Sequence, residues 1–350
     1  MNTPMNTRLT RLLGIELPIV LPGMTYVAVP TLVAAVSEAG GLGILASGAL
    51  SPDECRASIV QVRALTSKAF AVGCSLLLPG AKECAEVALQ ERVPVVNISM
   101  GKGDWVIERA HAYGGKVIAT VSNEKHARSA IDMGVDGLIV TGHEAAAHGG
   151  NVTSLVLIPV VRDLTDLPII AAGGFADGRG LVAALALGAD AVAMGTRLAT
   201  SVESPVHVAT KQLIVSKPAE DTIYSKNFDT FPCRVMKTRG GERFTARRLS
   251  PPVALTRSIQ AALEMDRPLT EMAREAMSRG PVNAVKIAYF GAATLAMRKA
   301  IHEADHDEGV QLIGQSQGLV HDVPSVAQIM ARVIDEARAV MAALPGLSSV

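Results

Sequence analysis

Short apolar runs alternate with longer segments of helical spacing through the first 200 residues. The runs fall at Pro18–Leu21, Gly41–Leu45, Phe70–Ser75, Val93–Ile98, Lys116–Thr120, Asp136–Val140, Pro168–Ala172 and Asp190–Met194. Continuous apolar runs of this length, separated by about three turns of helix, read as neighbouring parallel strands buried on both faces. Their starts lie about 20 to 30 residues apart, which suits one strand, one helix and two short loops, and eight such units close on themselves. The predicted fold is therefore α/β, a (β/α)8 TIM barrel. An open doubly wound sheet is the alternative, but no G-x-G-x-x-G opens the first helix.

An internal echo supports the count. MGVDGLIV from Met133 and LGADAVAM from Leu187 share one pattern of helix end, glycine, aspartate and strand. Gly134 and Gly188 fit the position just past a helix, where the left-handed conformation favours glycine. The rhythm breaks after strand eight. The reading divides the chain into a barrel over 1–204, a mostly helical insertion with loops over 205–301, and a segment over 302–350 that returns to the barrel. Following strand eight, the insertion sits on the barrel's C-terminal face, either as a peripheral appendage or as a lid over a substrate pocket. Val323–Met341 places apolar residues at helical spacing with Pro324 near its first turn, the mark of a packing helix.

Composition narrows the function. The 350 residues are 49% hydrophobic but 3% aromatic, so the core is built from Ala, Val, Leu and Ile, as barrel interiors are. Lys plus Arg equals Asp plus Glu at 33 each, leaving no basic field for nucleic acid. Cys55, Cys74, Cys84 and Cys233 form neither a C-x-x-C pair nor a dense framework, which argues against structural zinc and for free thiols in a reducing compartment. No signal peptide opens the chain, and no run approaches the roughly 20 apolar residues that span a bilayer. The protein reads as soluble and cytoplasmic, without a membrane partner.

In such a barrel, chemistry belongs just after each strand. The seventh and eighth runs stop at Gly173-Gly174 and Gly195-Thr196. Glycine turns that expose backbone N–H groups at two adjacent strand ends, beside helix N-termini, can hold one phosphate. After strand six comes TGHEAAAHGG, where His148 has the acidity for proton transfer near neutral pH and small neighbours leave it room. His143 is its rival in the same loop, and Glu144 either orients a histidine or caps the next turn. After strand one, Gly23 permits close approach of a flat ligand and Met24 offers a soft packing surface. Ser75 and Thr120 offer hydroxyls after strands three and five. No HExxH, GxSxG or Walker sequence occurs, and no cluster has metal-ligand spacing. A phosphate site without nucleophile or metal favours a phosphorylated cofactor that brings its own reactivity.

The stretch GGFADGRGLVAALALGADAVAMGTR, with GHEAAAHGG, the opening PIVLPGM and SEAGGLGIL, and the late GQSQGLV, resembles the nitronate monooxygenase family. The same pattern covers the related enoyl-acyl-carrier-protein reductase II enzymes and flavin-dependent NADH:quinone reductases. The resemblance implies FMN, with its phosphate on Gly173, Gly174, Gly195 and Thr196 and its ring near Gly23 and Met24. It implies His148 as the catalytic histidine and places Gln315 and Gly318 in a segment returning to the flavin. Thr141 stands where relatives often carry an acidic residue, and Ala146-Ala147 where many carry Gly-Gly. The implied activity is oxidation of alkyl nitronates with O2 to carbonyl compounds and nitrite. NAD(P)H-dependent reduction of quinones or enoyl thioesters is the alternative, and a homodimer is admissible in either case.

Overall fold

The eight apolar runs form eight parallel strands in a computed structural model that describes residues 4–78, 80–146, 148–264 and 281–344. The strands are β1 (Ile19–Leu21), β2 (Leu42–Ala46), β3 (Phe70–Ser75), β4 (Val95–Ser99), β5 (Lys116–Val121), β6 (Gly137–Thr141), β7 (Ile169–Ala172) and β8 (Ala191–Ala193). Each pairs with its successor, and β8 pairs back to β1 through Ile19 with Val192 and Val20 with Ala193, closing a TIM barrel. The strands are separated by α2 (Pro30–Glu38), α3 (Pro52–Leu65), α4 (Ala81–Gln90), α5 (Asp104–His111), α6 (Glu124–Asp132), α7 (Ser154–Arg162) and α8 (Gly178–Ala186).

Alternation along each strand sorts the core into two shells. Val20, Leu42, Ile44, Ala71, Val95, Ile118, Ile139, Ile170 and Ala191 fill the barrel interior, and the intervening residues pack against the helices. Leu9 and Leu13 join the interior cluster from α1 (Arg8–Leu13), a helix that the strand rhythm did not announce and that plugs the N-terminal end. Arg8 pairs at 2.8 Å with the buried Asp190.

The sequence echo has a physical basis here. The N–H of Asp190 donates to Ile169 O while its carboxylate accepts from Ile169 N; Asp136 does the same with Val117. Each aspartate thus completes the first rung of a ladder to the preceding strand. Gly134 and Gly188 have φ of +83° and +94°.

After β8 the short α9 (Gly195–Ala199) leads into α10 (Val208–Ser216), then a pair of antiparallel strands, β9 (Thr222–Ser225) and β10 (Cys233–Met236). These two short strands, which the sequence reading did not pick out, stand within an insertion that is otherwise mostly helical, as expected. They are four residues each, too short for period-two alternation to stand out, and β10 is buried throughout. Next come α11 (Arg239–Ala246), α12 (Pro251–Glu264) and α13 (Pro281–His302); residues 265–280 of the expected insertion lie outside the described ones. The final helix, α14 (Val326–Ala343), packs on α8 and α2, where the outer helix following β8 belongs. The insertion thus interrupts the eighth βα unit between its strand and its helix. Pro324 lies ahead of the helix, because Ser325 is the N-cap, with Gln328 closing a capping box. No helix of the described residues is long and apolar enough to cross a membrane.

Two predictions concern this framework. A Cβ at Gly178 would fall on the backbone of Val333 and Ala337 in α14. Gly178→Ala should therefore cost about 1–3 kcal/mol in urea unfolding, as overpacking typically does; an unchanged midpoint would refute the tight α8–α14 seam. His302 and His306 are both held below the ordinary histidine value, chiefly by burial. The unfolded chain then binds more protons than the folded one below about pH 6.5. Stability should be fully present above that pH and fall as pH drops below it toward the depressed folded-state values. The double variant His302→Gln/His306→Gln should flatten that slope in thermal melts.

Candidate functional site

The barrel interior changes character near its C-terminal end. Continuing inward from the apolar layers, the same alternation brings up Ser75, Asn97, Ser99, Thr120 and Thr141. Asn97 is buried; its Nδ2 donates to Ile118 O at 3.1 Å and to Thr120 Oγ1 at 3.0 Å. Ser75 Oγ lies 2.9 Å from Ser99 Oγ across the β3–β4 pairing. A polar layer therefore caps the apolar filling. Asn97 and Ser99 were not singled out in the sequence, although a lone amide inside an apolar strand costs free energy unless paired and was a readable sign.

Above this layer lies Gly23, exposed, with Ile44, Gly73 and Ala46 nearest to where a Cβ would project. Met24 approaches Gly195, its Sδ 3.3 Å from the Cβ position of that glycine. Gly173 and Gly174 have φ of +100° and +89°, a region open to glycine without penalty. No backbone N–H of Gly173, Gly174, Gly195 or Thr196 finds a protein acceptor among the described residues. Because β7 and β8 are hydrogen-bonded neighbours, the two turns are adjacent.

The late segment does return to this end of the barrel. Gly314 N donates to Thr196 Oγ1 at 3.2 Å and Gln315 N to Glu144 O at 2.9 Å. Gly318 sits elsewhere: a Cβ there would press on the backbone of Ala219. Gln317, fully buried, explains why, since its Nε2 donates to Pro218 O and Asp221 O and ties the segment to the α10–β9 connection.

The two histidines of the β6–α7 loop differ sharply. His143 donates through Nδ1 to Gly150 O at 3.0 Å, stacks edge-on against Tyr224 at 4.5 Å, and its carbonyl accepts from the buried Arg234. Burial pulls the Arg234 guanidinium below its ordinary value. Tyr224 also donates to Gly149 O. His143 is thus occupied in holding the loop. Glu144 resolves as a cap: its carboxylate accepts from Ser154 N at 2.9 Å and Ser154 Oγ at 2.8 Å at the start of α7. Ala147 lies outside the described residues. His148, about one third exposed, meets the insertion instead, with Nε2 2.7 Å from Asp229 Oδ2 and its ring edge-on to Phe231 at 5.5 Å. Asp229, Phe231, Tyr224 and Arg234 escaped the sequence reading because they belong to the stretch without strand rhythm.

Residues 6–90 and 81–336 match the nitronate monooxygenase family. The (3aS,4S,5R,7aS)-5-hydroxy-7a-methyl-1-oxo-octahydro-1H-indene-4-carboxyl-CoA dehydrogenase of Mycobacterium tuberculosis is 33% identical over 347 residues, covering 95% of this chain and 96% of that one. Among solved structures, FabK from Thermotoga maritima aligns with 36% identity and a TM-score of 0.82, over 98% of this chain and 99% of its own. The nitroalkane oxidase of Streptomyces ansochromogenes aligns with 25% identity and a TM-score of 0.75, over 95% and 99%. With a family match running from residue 6 to residue 336 and relatives aligned over nearly its whole length, the chain belongs to the nitronate monooxygenase family and is an oxidoreductase.

Proposed function

We propose that this oxidoreductase binds FMN noncovalently and moves a substrate proton with His148 beside it. The observation that carries the reading is the cradle of four N–H groups without protein acceptors, two on each of the adjacent β7 and β8 turns. A phosphate satisfies such groups, and the left-handed glycines let it approach. Gly23 is exposed and, lacking a side chain, would let a flat ring approach its backbone, with Met24 next to it in the chain. Ser75, Thr120 and Thr141 would present polar groups to that ring from below, and Gln315 from the returning segment. Gly318 would contribute by seating that segment on Ala219. FMN supplies hydride or single-electron transfer when bound. The remaining work falls to the chain: binding the phosphate, orienting the substrate and handling its proton. His148 suits that last task better than His143 because its bonded ring nitrogen faces a carboxylate, which stabilises an imidazolium, whereas that of His143 faces a loop carbonyl.

For substrate we favour a CoA thioester, the class named for the Mycobacterium tuberculosis relative, which matches nearly the full chain. The family match favours a second reading, oxidation of an alkyl nitronate with O2. Both are carbon acids, with the exchangeable C–H beside a thioester carbonyl or a nitro group. One base near the flavin therefore serves either. NAD(P)H would take part as the nicotinamide partner in the thioester reading.

Anaerobic mixing of the FMN-loaded enzyme with NADH, NADPH, an acyl-CoA and an alkyl nitronate tests the choice. Bleaching of the flavin by a nicotinamide or an acyl-CoA at turnover rate is expected; bleaching by nitronate alone would replace the first reading by the second. His148→Ala should keep FMN but lose about 100- to 10,000-fold in turnover of a neutral carbon acid, the usual contribution of a general acid–base group. A preformed nitronate should suffer less. A larger loss from His143→Ala would reassign the base. At Gly174 a side chain meets only Glu144 Cβ and Cγ at ordinary distance, so the backbone conformation is the obstacle. Gly174→Val should distort the turn and strip FMN, and a folded, fully flavinylated variant would rule out the cradle.

A further inference from the structure

The carboxylate of Asp229 is nearly inaccessible, yet it comes from the hairpin of the insertion to meet a histidine of the barrel. Both of its oxygens are used. Oδ2 faces His148 Nε2 at 2.7 Å, and Oδ1 accepts from Phe231 N at 3.0 Å. Thr230 between them holds φ at +81°, a conformation that costs a β-branched residue free energy and persists only where surroundings enforce it. The surroundings do so. Asn227 Nδ2 donates to Thr245 O at 2.8 Å, Asn227 N to Ser225 Oγ at 3.1 Å, and the buried Phe228 packs edge-on to Phe244. A buried charge and a strained backbone thus converge on one imidazole.

We infer that Asp229 is the positioning residue of the reaction, fixing His148 in the Nε2–H tautomer so that Nδ1 is the atom that exchanges the proton. The inference rests on the acid–base reading of His148. A carboxylate can only accept, so the nitrogen facing it carries hydrogen. His148 Nδ1 has no protein partner among the described residues. In the step, the substrate C–H bond breaks, its electron pair stays on the substrate carbon conjugated with the carbonyl or nitro group, and the proton forms an N–H bond at Nδ1. The imidazolium so made stays against the Asp229 carboxylate, which keeps its charge, as in other histidine–aspartate pairs. Phe231 closes one edge of the ring and limits its rotation.

The test combines two readouts on the FMN-loaded protein. Nitrogen-15 NMR of histidine-labelled wild type, with His148→Gln for assignment, should show His148 protonated at Nε2 and bare at Nδ1. The opposite tautomer would overturn the inference without touching the assignment of His148 as base. This measurement needs no change at Asp229. Asp229→Asn should then retain FMN, lose the single tautomer, and lower kcat on a neutral carbon acid by about 100-fold or more, with KM little changed. Asp229→Glu should recover part of the loss. The double variant Asp229→Asn/His148→Ala should be no slower than His148→Ala alone, since residues acting as a unit do not add. Multiplied losses, or wild-type kcat in Asp229→Asn, would show that Asp229 does not act through His148. If His148→Ala itself were fully active, the acid–base reading would fall, while the NMR result would still report the pairing.

Discussion

Everything at the mouth of this barrel follows from the hydrogen bonds that join β8 back to β1. Closure leaves the sheet without edges, so strand N–H and C=O groups are used within the ladder. Backbone groups become available to a ligand only beyond the last rung. At the ends of β7 and β8 that happens on adjacent connections, both opened by small residues, which gives a cluster of backbone donors. Closure also fixes which side chains point inward. The polar layer of Ser75, Asn97, Thr120 and Thr141 therefore stacks on the apolar filling rather than being scattered among it.

The two ends of the barrel carry different burdens. At the N-terminal end, Asp136 and Asp190 tie successive strands together at their first residues, Arg8 neutralises Asp190, and α1 fills the opening. These interactions are mutually consistent and use ordinary backbone geometry. Non-glycine residues at positive φ occur at both ends: Arg92 leads into β4, while Tyr26 after β1, Met100 after β4 and Thr230 in the hairpin lie on the C-terminal side. Of these, Thr230 is the β-branched one and therefore the most strained.

How far the sequence could be read follows the same division. Parallel strands covered on both faces are continuous apolar runs, so all eight were visible within one or two residues; Gly173-Gly174 marked the turn after β7, while Gly195-Thr196 after β8 opens the short helix α9. His148 was visible because its loop follows a recognisable strand. Asn97 stood out as an amide in an apolar strand, but that it and Ser99 face the barrel interior is legible only once the inward alternation is known, and α1 only once the barrel has an open end to plug. The hairpin was out of reach for a different reason. β9 and β10 pair with each other but are only four residues each, too short for alternation to show, and the added bridge of Val235 to Leu312 comes from far along the chain.

Asp229 is the sharpest case, because its meaning exists only across a separation of 81 residues from His148. Taken alone, an aspartate in a loop is most simply a solvated turn residue. Buried beside Cys233, whose thiol is pushed up by burial and by the Asp229 charge, it is instead a fixed negative charge in poor solvent. Such a charge is retained only with partners that repay its desolvation. Here the partners are one imidazole and one backbone N–H, both held in place by the insertion's own packing. On the proposed reading the barrel would supply the cofactor cradle and the histidine, while the insertion would supply the carboxylate that orients it. The insertion also meets the barrel elsewhere, with Arg234 on His143 O, Tyr26 edge-on to His302 and Ala176 packed among Ile214 and Met236, so the loop that carries His148 is set in a seam held at several points.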